Sequence, residues 1–117
     1  MKFDGIYTPV VTPHFEDHSI NEKALESVIE LLIAGGVHGL IVSGTTGEYY
    51  AQSKEERMHL MRLFKDIIGD RIPLIVGTGA IRTEESIEYA EAAATLGADA
   101  ILVATPPYAV PTDRENA

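Results

Sequence analysis

The chain has 117 residues, of which 45% are apolar, carries a formal net charge of −9 and contains no cysteine. That length holds at most one domain of modest size with ample material for a core, and the acidic balance argues against nucleic acid and anionic membrane surfaces as partners, since both call for basic patches. Lack of cysteine excludes disulfides, Cys–zinc sites and thiol catalysis; with no long apolar segment after Met1-Lys2-Phe3-Asp4-Gly5 and no apolar run of membrane-spanning length, a cytoplasmic protein is expected.

A first strand is expected within residues 5–11, ending in Val11-Thr12-Pro13. The first helix starts near Ser19 to Asn21, where Ser19-x-x-Glu22 has the spacing of a capping box. Its stripe is Leu25, Val28, Ile29, Leu32 and Ile33, and Gly35-Gly36 stops it. A second strand, 40–42, runs into Ser43 and Gly44-Thr45-Thr46-Gly47-Glu48. The second helix opens at Ser53 with Glu56 completing a capping box, carries Leu60, Leu63, Phe64, Ile67 and Ile68, and ends at Gly69. Strand three, 74–76, leads to Gly77-Thr78-Gly79. A third helix runs from near Thr83 through Ile87, Ala90, Ala93 and Ala94 to Gly97, with a small face suited to close packing on a sheet. Strand four, 101–103, leads to Thr105-Pro106-Pro107-Tyr108, and Arg114-Glu115-Asn116-Ala117 opens a fourth helix. The strands are apolar at successive positions, the pattern of parallel strands covered on both faces. Helix, glycine, strand and hydroxyl-rich turn recur with Gly36, Gly69 and Gly97 as markers. This predicts a (βα) repeat of the barrel type with no internal domain boundary.

In such a barrel the carboxyl ends of the strands meet at one rim, where the chemistry sits. All four predicted ends carry polar residues, so the rim is the candidate site. Gly44-Thr45-Thr46-Gly47 is its centre: the glycines allow a tight turn and close approach of a ligand, and the threonines add hydroxyls beside backbone N–H groups. The competing reading is a βα turn that needs glycine for geometry alone. Glu48 is not read as a general base, because a carboxylate beside a bound anion would repel it; it is expected to turn away and tie to backbone or a cation. Gly77-Thr78-Gly79 has Arg82 where a dinucleotide fingerprint needs its third glycine, so no nucleotide is expected. His14, His18, His38 and His59 lack metal-ligand spacing on one face, His18 and His59 are read as solvated, and no metal is expected.

The stretch Gly39-Leu40-Ile41-Val42-Ser43-Gly44-Thr45-Thr46-Gly47-Glu48, with Glu56 downstream, resembles the signature of the dihydrodipicolinate synthase and N-acetylneuraminate lyase family. Residues 7–13, 73–79 and 105–108 fit the same family, so the resemblance covers the whole chain. It implies a (β/α)8 TIM barrel, of which residues 1–117 supply the N-terminal half: about the first four strands and three helices of a single domain. It also implies a lyase of the class I aldolase type that holds pyruvate or another 2-keto acid as a Schiff base on a lysine. No further cofactor is implied, and the barrel is expected to form a homo-oligomer, a dimer or tetramer.

By position, the resemblance gives Thr45, Thr46 and Gly47 the 2-keto acid carboxylate. Thr45 also enters a proton relay with tyrosines, and Tyr108 reaches across the tight dimer to complete the partner's relay. Schiff-base formation must move protons to and from a carbinolamine, which suits hydroxyls at hydrogen-bond distance. The resemblance puts the Schiff-base lysine on a later strand, beyond residue 117, and none of Lys2, Lys23, Lys54 and Lys65 lies at a strand's carboxyl end. The chain alone is therefore expected to be inactive and, with sheet edges uncovered, to associate. Tyr49-Tyr50, Pro107 and Ile81-Arg82 depart from the family pattern at the feedback site of lysine-sensitive synthases. A dihydrodipicolinate synthase-like activity therefore stands beside a 2-keto-3-deoxy sugar-acid aldolase or dehydratase. A non-catalytic α/β module that binds a small anion is the alternative from another class.

Overall fold

The computed structural model of the chain describes residues 2–107 and 110–116. Strands β1 (Tyr7–Pro9), β2 (Gly39–Val42), β3 (Leu74–Gly77) and β4 (Ala100–Leu102) form one parallel sheet in the order β1-β2-β3-β4. Helices α1 (Glu22–Ala34), α2 (Lys54–Ile68) and α3 (Thr83–Leu96) connect them, a 3₁₀ turn spans Tyr49–Ala51, and α4 (Asp113–Asn116) follows β4. Each strand is added beside its predecessor without reversal. That is the progression of a barrel wall, whereas a doubly wound sheet reverses direction at a switch point.

The alternation of side chains across each strand decides the core. Leu40 and Val42 on β2 and Leu74 and Val76 on β3 lie on one face and are fully or almost fully buried. They meet Leu25 and Ile29 of α1, Leu60, Met61, Phe64 and Ile68 of α2, and Tyr89 and Ala93 of α3. Each large apolar side chain so buried contributes about 1.5–3 kcal/mol. On the other face Gly39 and Gly77 allow close approach: a Cβ on Gly77 would stand 2.1 Å from the Ser43 carbonyl oxygen. The edges differ from the centre. Ile101 shares the face of Val76 by register yet is exposed, as are Leu102 and Val103.

Several local signals are realised as read. Ser53 accepts from the Glu56 N–H at 3.1 Å and the Glu56 carboxylate accepts from the Ser53 N–H at 2.8 Å, a complete capping box. Gly97 ends α3 at φ 82°, where a Cβ would be strained. Other expectations are corrected. The cap of α1 is Asn21, whose side chain accepts from the Ala24 N–H at 3.0 Å. Ser19 does not close a box with Glu22, because its N–H and hydroxyl are both taken by the Asp17 carboxylate. The first strand is shorter than 5–11, and Pro9, which has no N–H, is its last residue. Strand four begins one residue early because Asp99 starts its ladder, accepting the Leu74 N–H on its carboxylate and donating its own N–H to the Leu74 carbonyl. On α3 the buried positions are Tyr89 and Ala93, while Ile87 is 52% exposed. Among the described residues no helix is long and apolar enough to cross a membrane.

Candidate functional site

The turn after β2 is built by short-range backbone bonds. Gly47 N–H donates to the Gly44 carbonyl at 3.1 Å and Glu48 N–H to the Thr45 carbonyl at 3.0 Å. Ser43 precedes it at φ 56° and Glu48 leaves it at φ 61°, both left-handed conformations rarely taken by residues with a Cβ. Between them Thr45 and Thr46 are exposed. Their N–H groups and hydroxyls have no hydrogen-bond partner among the described residues. Two adjacent N–H groups and two hydroxyls left open at a strand's carboxyl end form a concentration of donors suited to a small anion.

Behind this display the turn is braced. The Gly47 carbonyl accepts from the Thr12 hydroxyl and from the Gln52 side-chain amide, each at 2.8 Å, and the same amide donates to Thr12 Oγ1 at 3.1 Å. Gly47 is buried, and a Cβ there would stand 2.9 Å from the Val10 carbonyl oxygen. Thr12 thus lies at the rim as read, but its hydroxyl holds the turn and does not present itself to a ligand. Gln52 carried no sequence signal.

The turn after β3 departs from the expectation that every hydroxyl-rich strand end faces the rim. Thr78 N–H continues the ladder to the Leu102 carbonyl at 3.0 Å, which keeps Thr78 on the face of Leu74 and Val76. Its side chain is 0% exposed, and its hydroxyl has no partner among the described residues. The carbonyls flanking it are held by Arg57 of α2, which donates Nη2–H to Gly77 at 2.9 Å and Nη1–H to Gly79 at 2.8 Å. Arg57 is 3% exposed. Its guanidinium lies 3.8 Å from the Tyr89 ring centroid and 5.1 Å from that of Tyr49. Burial pushes its pKa down from the ordinary arginine value, and the neighbouring Tyr89 opposes that shift. Arg57 was missed in the sequence, although it extends the buried stripe of α2 back from Leu60, Met61 and Phe64 by one turn.

The remaining candidates fall out as follows. Tyr108 lies outside the described residues. Glu48 is exposed, and its carboxylate makes no bond to backbone or cation among the described residues, which corrects the tie expected of it. Lys2 pairs with Asp4, Lys54 with Glu88, Lys65 reaches the Gly69 carbonyl, and Lys23 is exposed on α1; none stands at a strand's carboxyl end. His59 is half-exposed and pairs with Glu22. Among the described residues no group of three or more His, Cys, Asp or Glu side chains is gathered to hold a metal.

Comparison with known proteins agrees with the signature. Residues 2–117 match the Dihydrodipicolinate synthetase family. The 4-hydroxy-tetrahydrodipicolinate synthase of Chelativorans sp. (strain BNC1) is 41% identical over 112 residues, covering 96% of this chain and 38% of that protein. A prophage protein of the dihydrodipicolinic acid synthase family from E. coli K12, solved in complex with pyruvate, superimposes with a TM-score of 0.91 at 34% identity over 97% of this chain and 38% of its own. CdNal from Clostridium difficile, solved in complex with mannosamine, gives a TM-score of 0.93 at 33% identity over 98% of this chain and 40% of its own. The chain therefore spans about 38% of the length of the curated relative.

Proposed function

The chain belongs to the Dihydrodipicolinate synthetase family, and on that premise we propose that it is the N-terminal half of a single barrel domain that acts as a class I aldolase-type lyase on pyruvate or a related 2-keto acid. The observation that carries this reading is the open donor set of Thr45 and Thr46 at the carboxyl end of β2. A 2-keto acid offers a carboxylate to those donors and leaves its carbonyl carbon exposed to an amine. In the reaction, a lysine amine adds to that carbon to give a carbinolamine, which loses water to give the imine. The amine must give up protons and the departing hydroxyl must gain one. On this reading the Thr45 hydroxyl passes such protons, with Tyr108 as the relay partner contributed across a homo-oligomer. The lysine is supplied by the part of the barrel beyond residue 117, and no cofactor is called for.

A sugar-acid aldolase or dehydratase of the same family is the second reading. What favours it is the region around Tyr49, Tyr50, Ile81 and Pro107. There the Arg57 guanidinium and the rings of Tyr49 and Tyr89 line an open cavity together with Tyr50, Ile81 and Pro107. If the complete protein is instead a dihydrodipicolinate synthase, free lysine is expected to inhibit it poorly, and half-inhibition at sub-millimolar lysine would show that Tyr49, Tyr50, Pro107 and Ile81-Arg82 leave the feedback site intact.

Borohydride trapping followed by intact mass tests the main reading. The complete protein mixed with pyruvate is expected to give one stable adduct per chain, and residues 1–117 alone none. An adduct on residues 1–117 overturns the assignment of Lys2, Lys23, Lys54 and Lys65 as bystanders. Absence of any adduct on the complete protein, with a carboxylate still bound at Thr45 and Thr46, favours a non-catalytic anion-binding module instead.

A further inference from the structure

We propose that Arg57 is a positioning residue: it fixes the turn after β3 against the segment that follows the anion-binding turn, and so sets the affinity for the 2-keto acid without touching it. The effect on affinity rests on the function proposed above; the mechanical effect does not.

Arg57 is a buried cation that pairs with no carboxylate among the described residues. Its charge is met by the carbonyls of Gly77 and Gly79 and by two aromatic faces. For packing alone this is a poor choice, since an apolar side chain fills space without the desolvation penalty of a guanidinium. The planar fork does something an apolar group cannot. It takes two carbonyls on either side of Thr78 and holds them in one geometry. Without it both oxygens would be left unpaired in a buried setting.

The same guanidinium reaches the anion-binding turn by a short route. It lies over Tyr49, and the Tyr49 ring also borders Gly79, whose added Cβ would stand 3.8 Å from Tyr49 Cζ. Tyr49 follows Glu48 directly, at the start of a 3₁₀ turn closed by the Ala51 N–H on the Glu48 carbonyl at 2.9 Å. Gln52, the next residue, returns its side-chain amide to the Gly47 carbonyl. A displacement of Tyr49 is therefore passed to Gly47 and Thr46 within a few bonds. Arg57 and Gln52 hold the segment from its two ends.

The test uses the complete protein with Arg57→Met, which keeps bulk without charge, and Arg57→Lys, which keeps charge without the fork. Two quantities are read: hydrogen exchange of segments 44–52 and 77–82, with α1 as the reference, and the pyruvate concentration that half-saturates borohydride trapping beside its maximal rate. Both variants are expected to speed exchange in the two segments together, leave α1 unchanged, and raise half-saturation about tenfold with the maximal rate within about twofold, the signature of lost uniform binding. If Arg57→Met does not fold, Arg57→Lys decides. Wild-type exchange and half-saturation in the folded variants would show that Arg57 only fills space and would overturn the proposal. A wild-type protein that traps no pyruvate removes the functional premise alone; coupled loosening of the two segments then still upholds the positioning role, and unchanged exchange overturns it.

Discussion

The turns that follow β2 and β3 are made of the same materials. Each leaves a parallel strand at its carboxyl end, and each pairs glycines with threonine: Gly44-Thr45-Thr46-Gly47 and Gly77-Thr78-Gly79. They end up with opposite roles. After β2 the threonines are exposed, their N–H groups are open, and a backbone carbonyl is braced from behind by Thr12 and Gln52. After β3 the threonine is buried on the helix side and the carbonyls are occupied by a buried arginine. One turn leaves its donors open; the other has its carbonyls tied to α2 by Arg57. A hydroxyl at a strand end is thus open to solvent only where strand parity and the covering helix leave it so.

Replacing threonine by valine at both turns keeps shape and removes only a hydroxyl, so the pair separates the two roles. The largest effect is expected from Thr45→Val in the complete protein: turnover falls by about 10² to 10³, roughly 2–4 kcal/mol by analogy with the loss of one transition-state donor. Wild-type turnover in steady-state kinetics would place Thr45 outside the chemistry. Next comes Gly77→Ala, whose Cβ would collide with the Ser43 carbonyl oxygen at 2.1 Å. It should destabilise the fold by about 1–3 kcal/mol or more, as overpacking does; an unchanged urea midpoint would contradict the close approach of the two turns. Thr12→Val removes one of two donors to the Gly47 carbonyl and should cost about 1 kcal/mol of stability, read from the same unfolding curve. The smallest effect, and of opposite sign, is expected from Thr78→Val: with its hydroxyl buried and unpartnered, losing it should raise stability by up to about 1 kcal/mol and leave turnover unchanged. A fall in stability would show that the hydroxyl has a partner after all.

Much of the fold was open to reading along the chain. Alternating apolar strands and striped helices, the Ser53 and Glu56 box and the stop at Gly97 all came through, because each depends on residues within one or two turns of one another. The tight turn at residues 44–47 was legible for the same reason, through its glycines and threonines. Where local signals compete, the reading failed: Asp17 captured Ser19, so Asn21 became the cap.

The sequence by itself determined the order of strands and helices and the donors at residues 44–47, since hydrogen-bond propensity and apolar period act over a few residues. Only the tertiary structure decided which of these hydroxyls meets solvent, that Tyr89 and not Ile87 faces inward on α3, and that a charged residue, Arg57, belongs to the interior. Those outcomes depend on which distant segments cover a side chain and which carbonyls they bring to it. A buried guanidinium is tolerable only because folding delivers Gly77, Gly79 and Tyr89 to its side.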